Sequence, residues 1–334
     1  MSRLGPLVAA FLMICFGFGV YTALGHDRSL VRAASTRKLP TATKPAAFIL
    51  PGSLYVTQQG ALYRLRAGSF TQLQPAGGWT QPAVSRDGSR LVLVKRQFNV
   101  SDLFLMDANG AVQSQVTHNG STITEVNRWA FYPRFAPSGS IFFSQDQPKV
   151  YDYRVDLAIW EIPSGRPATQ ARRWTSPNFY TGGDVSPVPL PSGGLVYSKY
   201  DVSDAGQSFS QVWLAAGPDV AGTALTVPAD DCGQPAVSPD GGHIALVCVS
   251  GATSRLMVAP WDGATVGPAQ ALVTGPVVGA PAWAPDSSGL VYFAPPATGA
   301  GNFQLWWIPL TGATAKQVTT GLDLDSTTPA AWGP

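Results

Sequence analysis

Eighteen of the twenty acidic residues in this 334-residue chain are aspartates, and several stand just ahead of short Pro-containing runs. Asp184 precedes SPVP, Asp230 and Asp231 precede GQPAV, and Asp323 and Asp325 precede TPAAW. Carboxylates brought together hold a hard cation such as Ca²⁺ or a basic ligand; Asp also gathers in turns with no ligand at all. A second set mixes rings and charges: Tyr151, Asp152, Tyr153 and Arg154, then Phe179 and Tyr180, then Tyr200 and Asp201. Aromatic rings beside polar groups suit a peptide or a carbohydrate, or else they pack to stiffen long loops.

Nucleophilic catalysis is poorly provided for. A Ser-His-Asp arrangement needs a base, and the histidines are His26, His118 and His243. His118 reads as a loop residue beside Asn119 and Gly120, and His243 as an exposed residue opening a strand. The chain has no G-x-S-x-G elbow, phosphate-binding glycine loop or paired-histidine zinc motif, so no catalytic residue is assigned. Cys232 and Cys248 flank the turn at 239–242 almost symmetrically. Opposed on adjacent strands they would form a disulfide, which fits an oxidising, exported location; otherwise they are two small buried thiols. With no third ligand they make no metal site.

The elements that would position these groups announce themselves by repetition. QPAVSRDGSRLVLV (81–94), YPRFAPSGSIFFS (132–144), SPVPLPSGGLVYS (186–198), QPAVSPDGGHIALV (234–247) and APAWAPDSSGLVYF (280–293) each join a Pro-containing strand to an apolar strand through a tight turn. LPGSLYV (50–56) is the same unit without its leading strand, and TPAAWGP (328–334) supplies that strand at the other end. A period of roughly 40 to 55 residues means stacked supersecondary units. Third strands recur at 61–66, 102–107, 156–162, 210–216, 254–260 and 303–309, so each unit has four strands. One four-stranded sheet cannot bury both faces, whereas sheets packed radially around an axis do. The expected fold is all-β: a six-bladed β-propeller of four-stranded blades over 48–334, closed by the C-terminal strand joining the first blade. The blades fall at about 50–75 plus 327–333, 79–117, 129–175, 184–227, 233–274 and 280–320. The recurring tryptophans, Trp332 included, read as core between blades.

Composition agrees. Gly 35 and Pro 29 suit short strands and tight turns, charged residues make up only 13%, and the scarcity of Glu argues against helix. A net charge of +2 gives no electrostatic case for nucleic acid. Residues 7–25, after Arg3, are uncharged and long enough to cross a bilayer as one helix. Residues 1–25 therefore read as a signal anchor, or as a cleavable signal peptide ending at Ala23-Leu24-Gly25. Arg28, Arg32, Arg37, Lys38 and Lys44 follow the span, where the positive-inside tendency disfavours export. Residues 26–47 read as a flexible tether.

The turns of the sequence resemble the WD40-like repeat of the TolB propeller and of the propellers of the prolyl oligopeptidase group. The likeness rests on Ser238-Pro239-Asp240-Gly241-Gly242 and its counterparts Ser85-Arg86-Asp87-Gly88, Ala136-Pro137-Ser138-Gly139, Pro191-Ser192-Gly193 and Ala284-Pro285-Asp286-Ser287. It implies a propeller; TolB's additional domain and the peptidases' hydrolase domain have no counterpart here, so their partners and activities do not transfer.

In such a blade the second-to-third loops and the connections between blades emerge on one rim. That rim receives the aspartate set and the aromatic set, with the longest loops at 144–156, 172–184 and 199–210. The leading expectation is a membrane-tethered, monomeric propeller outside the cytoplasm, or a secreted one if the signal is cleaved. It would bind a protein, peptide or glycan without catalysis or cofactor. Two alternatives stay open: a metal-dependent lactonase- or esterase-like hydrolase using carboxylates Asp184, Asp230, Asp231, Asp323 and Asp325, and a structural component of an envelope complex.

Overall fold

The computed structural model describes residues 49–146, 155–178, 180–297 and 302–334. The expected membrane span and tether lie outside the described residues. Among the described residues no helix is long and apolar enough to cross a membrane.

Six antiparallel sheets of four strands each form the blades of a propeller. Five blades run in chain order from the innermost strand outward, starting at Trp79–Val84, Ala130–Phe135, Asp184–Pro189, Cys232–Val237 and Gly279–Trp283. The first blade takes its innermost strand from Ala331–Gly333, which pairs with Ser53–Gln58. The buried apolar residues fall into six clusters, one for each seam between neighbouring blades. The seam between last and first blades is as apolar as the others, with Leu305 and Trp307 against Leu54 and Val56. Trp332 is only half-buried: its ring lies 5.8 Å from that of Trp307 and its Nε1 donates to Pro51 O at 2.8 Å. Trp79, Trp261, Trp283 and Trp307 are core, whereas Trp129, Trp160, Trp213 and Trp306 are only half-buried.

Two of the repeated turns share one chemistry. Ser85 Oγ donates to Asp87 at 2.6 Å and accepts the Arg90 N–H at 3.0 Å, while Asp87 also accepts from the Ser89 N–H and hydroxyl. Ser238, Asp240, Gly242 and His243 repeat the pattern, with Ser238 Oγ accepting the His243 N–H at 2.9 Å. The carboxylate thus replaces backbone partners that a tight turn cannot supply. His243 is half-buried, not exposed as expected, because its ring lies 6.1 Å from Trp283 of the next blade.

Five innermost strands carry a bulge at the same place. In each, the residue before the proline is left-handed: Gln81, Tyr132, Ser186, Gln234 and Ala280, with φ between 51 and 54°. Proline has no N–H for the ladder, so the strand bends there, next to the central channel. Cys232 and Cys248 stand opposite each other in register and are joined by a disulfide, with Cα atoms 4.0 Å apart.

Candidate functional site

The rim that carries the blade-to-blade connections also carries the exposed apolar surface. Of twelve exposed large apolar side chains among the described residues, Ile49 and Val220 lie on the opposite rim and Val112 on an outer strand; the other nine lie on this one. Phe98 is 98% exposed and Tyr180 76%. Such side chains normally turn inward. Their concentration on one rim marks a surface that water covers poorly.

Below this rim, where blades 4 and 5 meet, a pocket of about 190 Å³ is lined by Tyr200, Ser208, Phe209, Ser210, Asp231 and Gln234, among others. Asp231 ends a short 3-10 turn, Pro228–Asp230, in the left-handed region at φ 43°. Its backbone carbonyl accepts the Val249 N–H at 3.0 Å, and its Oδ1 accepts the Ser210 N–H at 2.7 Å and the Ser210 hydroxyl at 3.0 Å. The carboxylate is thereby fixed facing the pocket wall. Side chains alternate along a strand, so Tyr200 faces this pocket while Asp201 faces the other way and accepts from Asn178 Nδ2 at 2.8 Å.

Tyr200 contributes a phenol to the pocket lining. Burial pushes its phenol above the ordinary tyrosine value, and the Asp231 carboxylate adds to that. Burial does the same to Tyr132 on the innermost strand of blade 3, reinforced by Tyr200 and the Asp325 carboxylate. Both phenols stay protonated at neutral pH and can donate to a ligand, while the Asp231 carboxylate, held by Ser210, can accept. This combination recognises amide and ammonium groups.

The sequence-derived candidates separate into distinct groups. Tyr151, Asp152, Tyr153, Arg154 and Phe179 lie outside the described residues. Tyr180 stands on the rim, and Tyr200 and Asp231 meet in the pocket. Asp184, expected at the channel mouth, is wholly buried, with Oδ1 3.2 Å from Lys199 Nζ; burial raises its pKa against the pull of that lysine. Asp325 is a fastener between the ring's ends: it accepts from Thr57, Thr80 and Thr327, and its N–H donates to Thr57 O at 2.9 Å. The Asp323 N–H donates to Gln58 Oε1 at 3.0 Å, and Asp230 is exposed. Among the described residues no three His, Cys, Asp or Glu side chains come together to hold a metal ion. Tyr132 is absent from the sequence-derived set because YPRF reads as one more copy of the Pro-containing strand. The signal was there in its departure from the glutamines of the two QPAV copies.

No protein-family model matches the chain, and no curated protein matches it. Solved structures do. TolB from Acinetobacter baumannii aligns with a TM-score of 0.65 at 16% identity, covering 86% of this chain and 68% of its own. A putative TolB from Agrobacterium tumefaciens gives 0.59 at 16% identity, over 83% of this chain and 91% of its own. Hydrazine synthase from Kuenenia stuttgartiensis gives 0.57 at 13% identity, over 84% and 47%. At these identities the likeness is one of fold: the chain forms a TolB-like six-bladed propeller, a ring that hosts unrelated chemistries.

Proposed function

We propose that this propeller is a non-enzymatic binding module that docks a protein or peptide on its loop-rich rim. The gathering of nine exposed large apolar side chains on this rim, against two on the opposite rim, carries the reading, since apolar surface concentrated on one face of a folded domain marks macromolecular docking. Phe98 and Tyr180 supply apolar contact area, and the Tyr200–Asp231 pocket supplies polar recognition of one inserted side chain or backbone amide. A glycan would call for stacked rings and many polar partners, whereas six of the nine exposed large apolar side chains on this rim are aliphatic. The described histidines stand apart from the rim pocket: His118 is exposed in a loop, and His243 lies at the opposite rim beside Trp283.

We further place the propeller outside the cytoplasm, attached through residues 1–25 and the tether at 26–47. The disulfide between Cys232 and Cys248 supports an oxidising compartment. The chain enters the ring at Leu50, on the rim opposite the docking surface. The test compares the parent with a Phe98→Ala, Tyr180→Ala, Tyr200→Ala variant as bait on the same detergent extract of the producing cell. The expected result is one partner retained by the parent and lost from the variant, with the unfolding midpoint unchanged. Equal retention by both would remove this rim from the account.

A further inference from the structure

The innermost strand of blade 3 carries a cation where its counterparts carry small apolar residues. Arg134 is in register with Phe142, as Ala83 is with Val92, Val188 with Val196, Ala236 with Ala245 and Ala282 with Val291. Cross-strand partners share a face, and Phe142 packs with Leu195 and Tyr197 of blade 4. Arg134 therefore faces the seam between blades 3 and 4 from the edge of the central channel. It is partly accessible, yet it makes no hydrogen bond or ion pair with any described residue. Burial without a counter-charge pushes its pKa down to about 10.

Ser144 lies on the same face, two residues from Phe142. It is wholly buried and its Oγ has no partner. The equivalent serine of blade 4, Ser198, accepts the Gln234 N–H of the following blade at 2.9 Å. Arg134 and the Ser144 hydroxyl thus lack partners among the described residues of a seam that also holds the buried carboxylates of Asp184, paired with Lys199, and of Asp146, on the same face of its strand as Ser144. Buried charges and buried hydroxyls are ordinarily satisfied, because leaving them bare costs more than pairing them returns.

We propose that the seam between blades 3 and 4 is a carboxylate-binding site that opens on the central channel, with the Arg134 guanidinium as its cation and the Ser144 hydroxyl beside it. The planar guanidinium matches a carboxylate through two parallel N–H donors. Arg134 itself offers one positive charge, which matches a monoanion better than a phosphate dianion. The carboxylate has two possible carriers, a small free acid or a peptide lowered into the channel.

Sodium acetate titrated into the full chain at constant ionic strength tests this, read by calorimetry and by the thermal midpoint. The parent should show a saturable rise in midpoint. Arg134→Ala, which restores the residue of blades 2, 5 and 6, should fold and bind acetate roughly tenfold more weakly or worse. Without acetate it should be no less stable than the parent, since an unpaired cation has been removed. Arg134→Gln provides the same comparison with a polar head of similar reach, and Ser144→Ala should weaken acetate binding a few-fold. A parent without a saturable acetate effect, or an Arg134→Ala variant that reproduces it, would overturn the site. Competition by tetraglycine and by its C-terminal amide then assigns the carrier. Displacement of acetate by the free acid alone indicates a chain-borne carboxylate, and displacement by neither indicates a small acid.

Discussion

The side chain of Gln234 in blade 5 reaches into blade 6, where its Oε1 accepts the Ala280 N–H at 2.6 Å. Gln81 does the same for Tyr132 across the seam between blades 2 and 3, again at 2.6 Å. In both pairs the acceptor and donor residues are left-handed, at φ 51 and 52° and at φ 54 and 54°. A non-glycine residue in that region costs on the order of 1 kcal/mol or more. The bulge turns its N–H out of the ladder, and the neighbouring blade's glutamine satisfies it. At these two seams the strained residue before the proline thereby makes a contact between blades.

Gln81→Ala should lower stability by about 1 to 3 kcal/mol, because it leaves the Tyr132 N–H without an acceptor. Gln72, whose side chain bonds only locally and at the surface, should tolerate alanine within about 0.5 kcal/mol. Urea unfolding of both variants checks the contrast.

The fold was legible from sequence because it is written in residues that cannot be exchanged freely. Pro at 82, 133, 187, 235 and 281, and the turns rich in Pro, Asp, Ser and Gly that follow, recur whatever surrounds them. The closing strand at 331–333 was legible for the same reason, through Pro329 and Trp332. The site was less legible. Asp184 and Asp325 look like ligands in a string of residues, and only the fold shows Lys199 and the threonines that occupy them. Thr117, Thr175, Thr226 and Thr319 each accept an N–H from the third strand of their blade, a repeat that varied neighbours hide. Tyr132 and Arg134 were masked by their membership in a repeat; their importance lies in what the other copies have instead.

Trp332→Ala should loosen the ring at its closure. The change removes an edge-on contact with Trp307 and the hydrogen bond to Pro51 O. Since the side chain is half-buried, the loss should be about 2 kcal/mol, below the 3 to 5 typical of a fully buried tryptophan. Chemical denaturation should show it with an unchanged slope; a lower slope would mean that the ring had opened in the native state.

Asp87 gives the turns an acid limit. Bonds from the Ser85 hydroxyl, then from the Ser89 hydroxyl and N–H, hold its pKa down at about 2. Its unfolded value is about 3.9. The depressed folded value means that its stabilisation is complete above that pH and disappears as pH falls towards 2. Asp87→Asn should therefore be less stable than the parent at pH 7, and the two should converge near pH 2. Urea midpoints measured across that range give the comparison.

Reducing the bond between Cys232 and Cys248, separated by 16 residues, should cost up to about 3 kcal/mol through the freedom returned to the unfolded chain. The strands should stay paired, because Ala236–Ala245 and Val237–Ile244 keep the register. Thermal unfolding with and without reductant, compared with the Cys232→Ala, Cys248→Ala double variant, measures it.

The most direct test of the docking rim is site-specific photocrosslinking in the producing cell. A photoreactive residue is placed at Phe98, Tyr180 or Val202 on the loop-rich rim and, separately, at Val220 on the opposite rim. The account predicts one discrete protein adduct common to the first three positions and absent from the fourth. An adduct formed at Val220 but not at the other three, or formed equally from both rims, would contradict it.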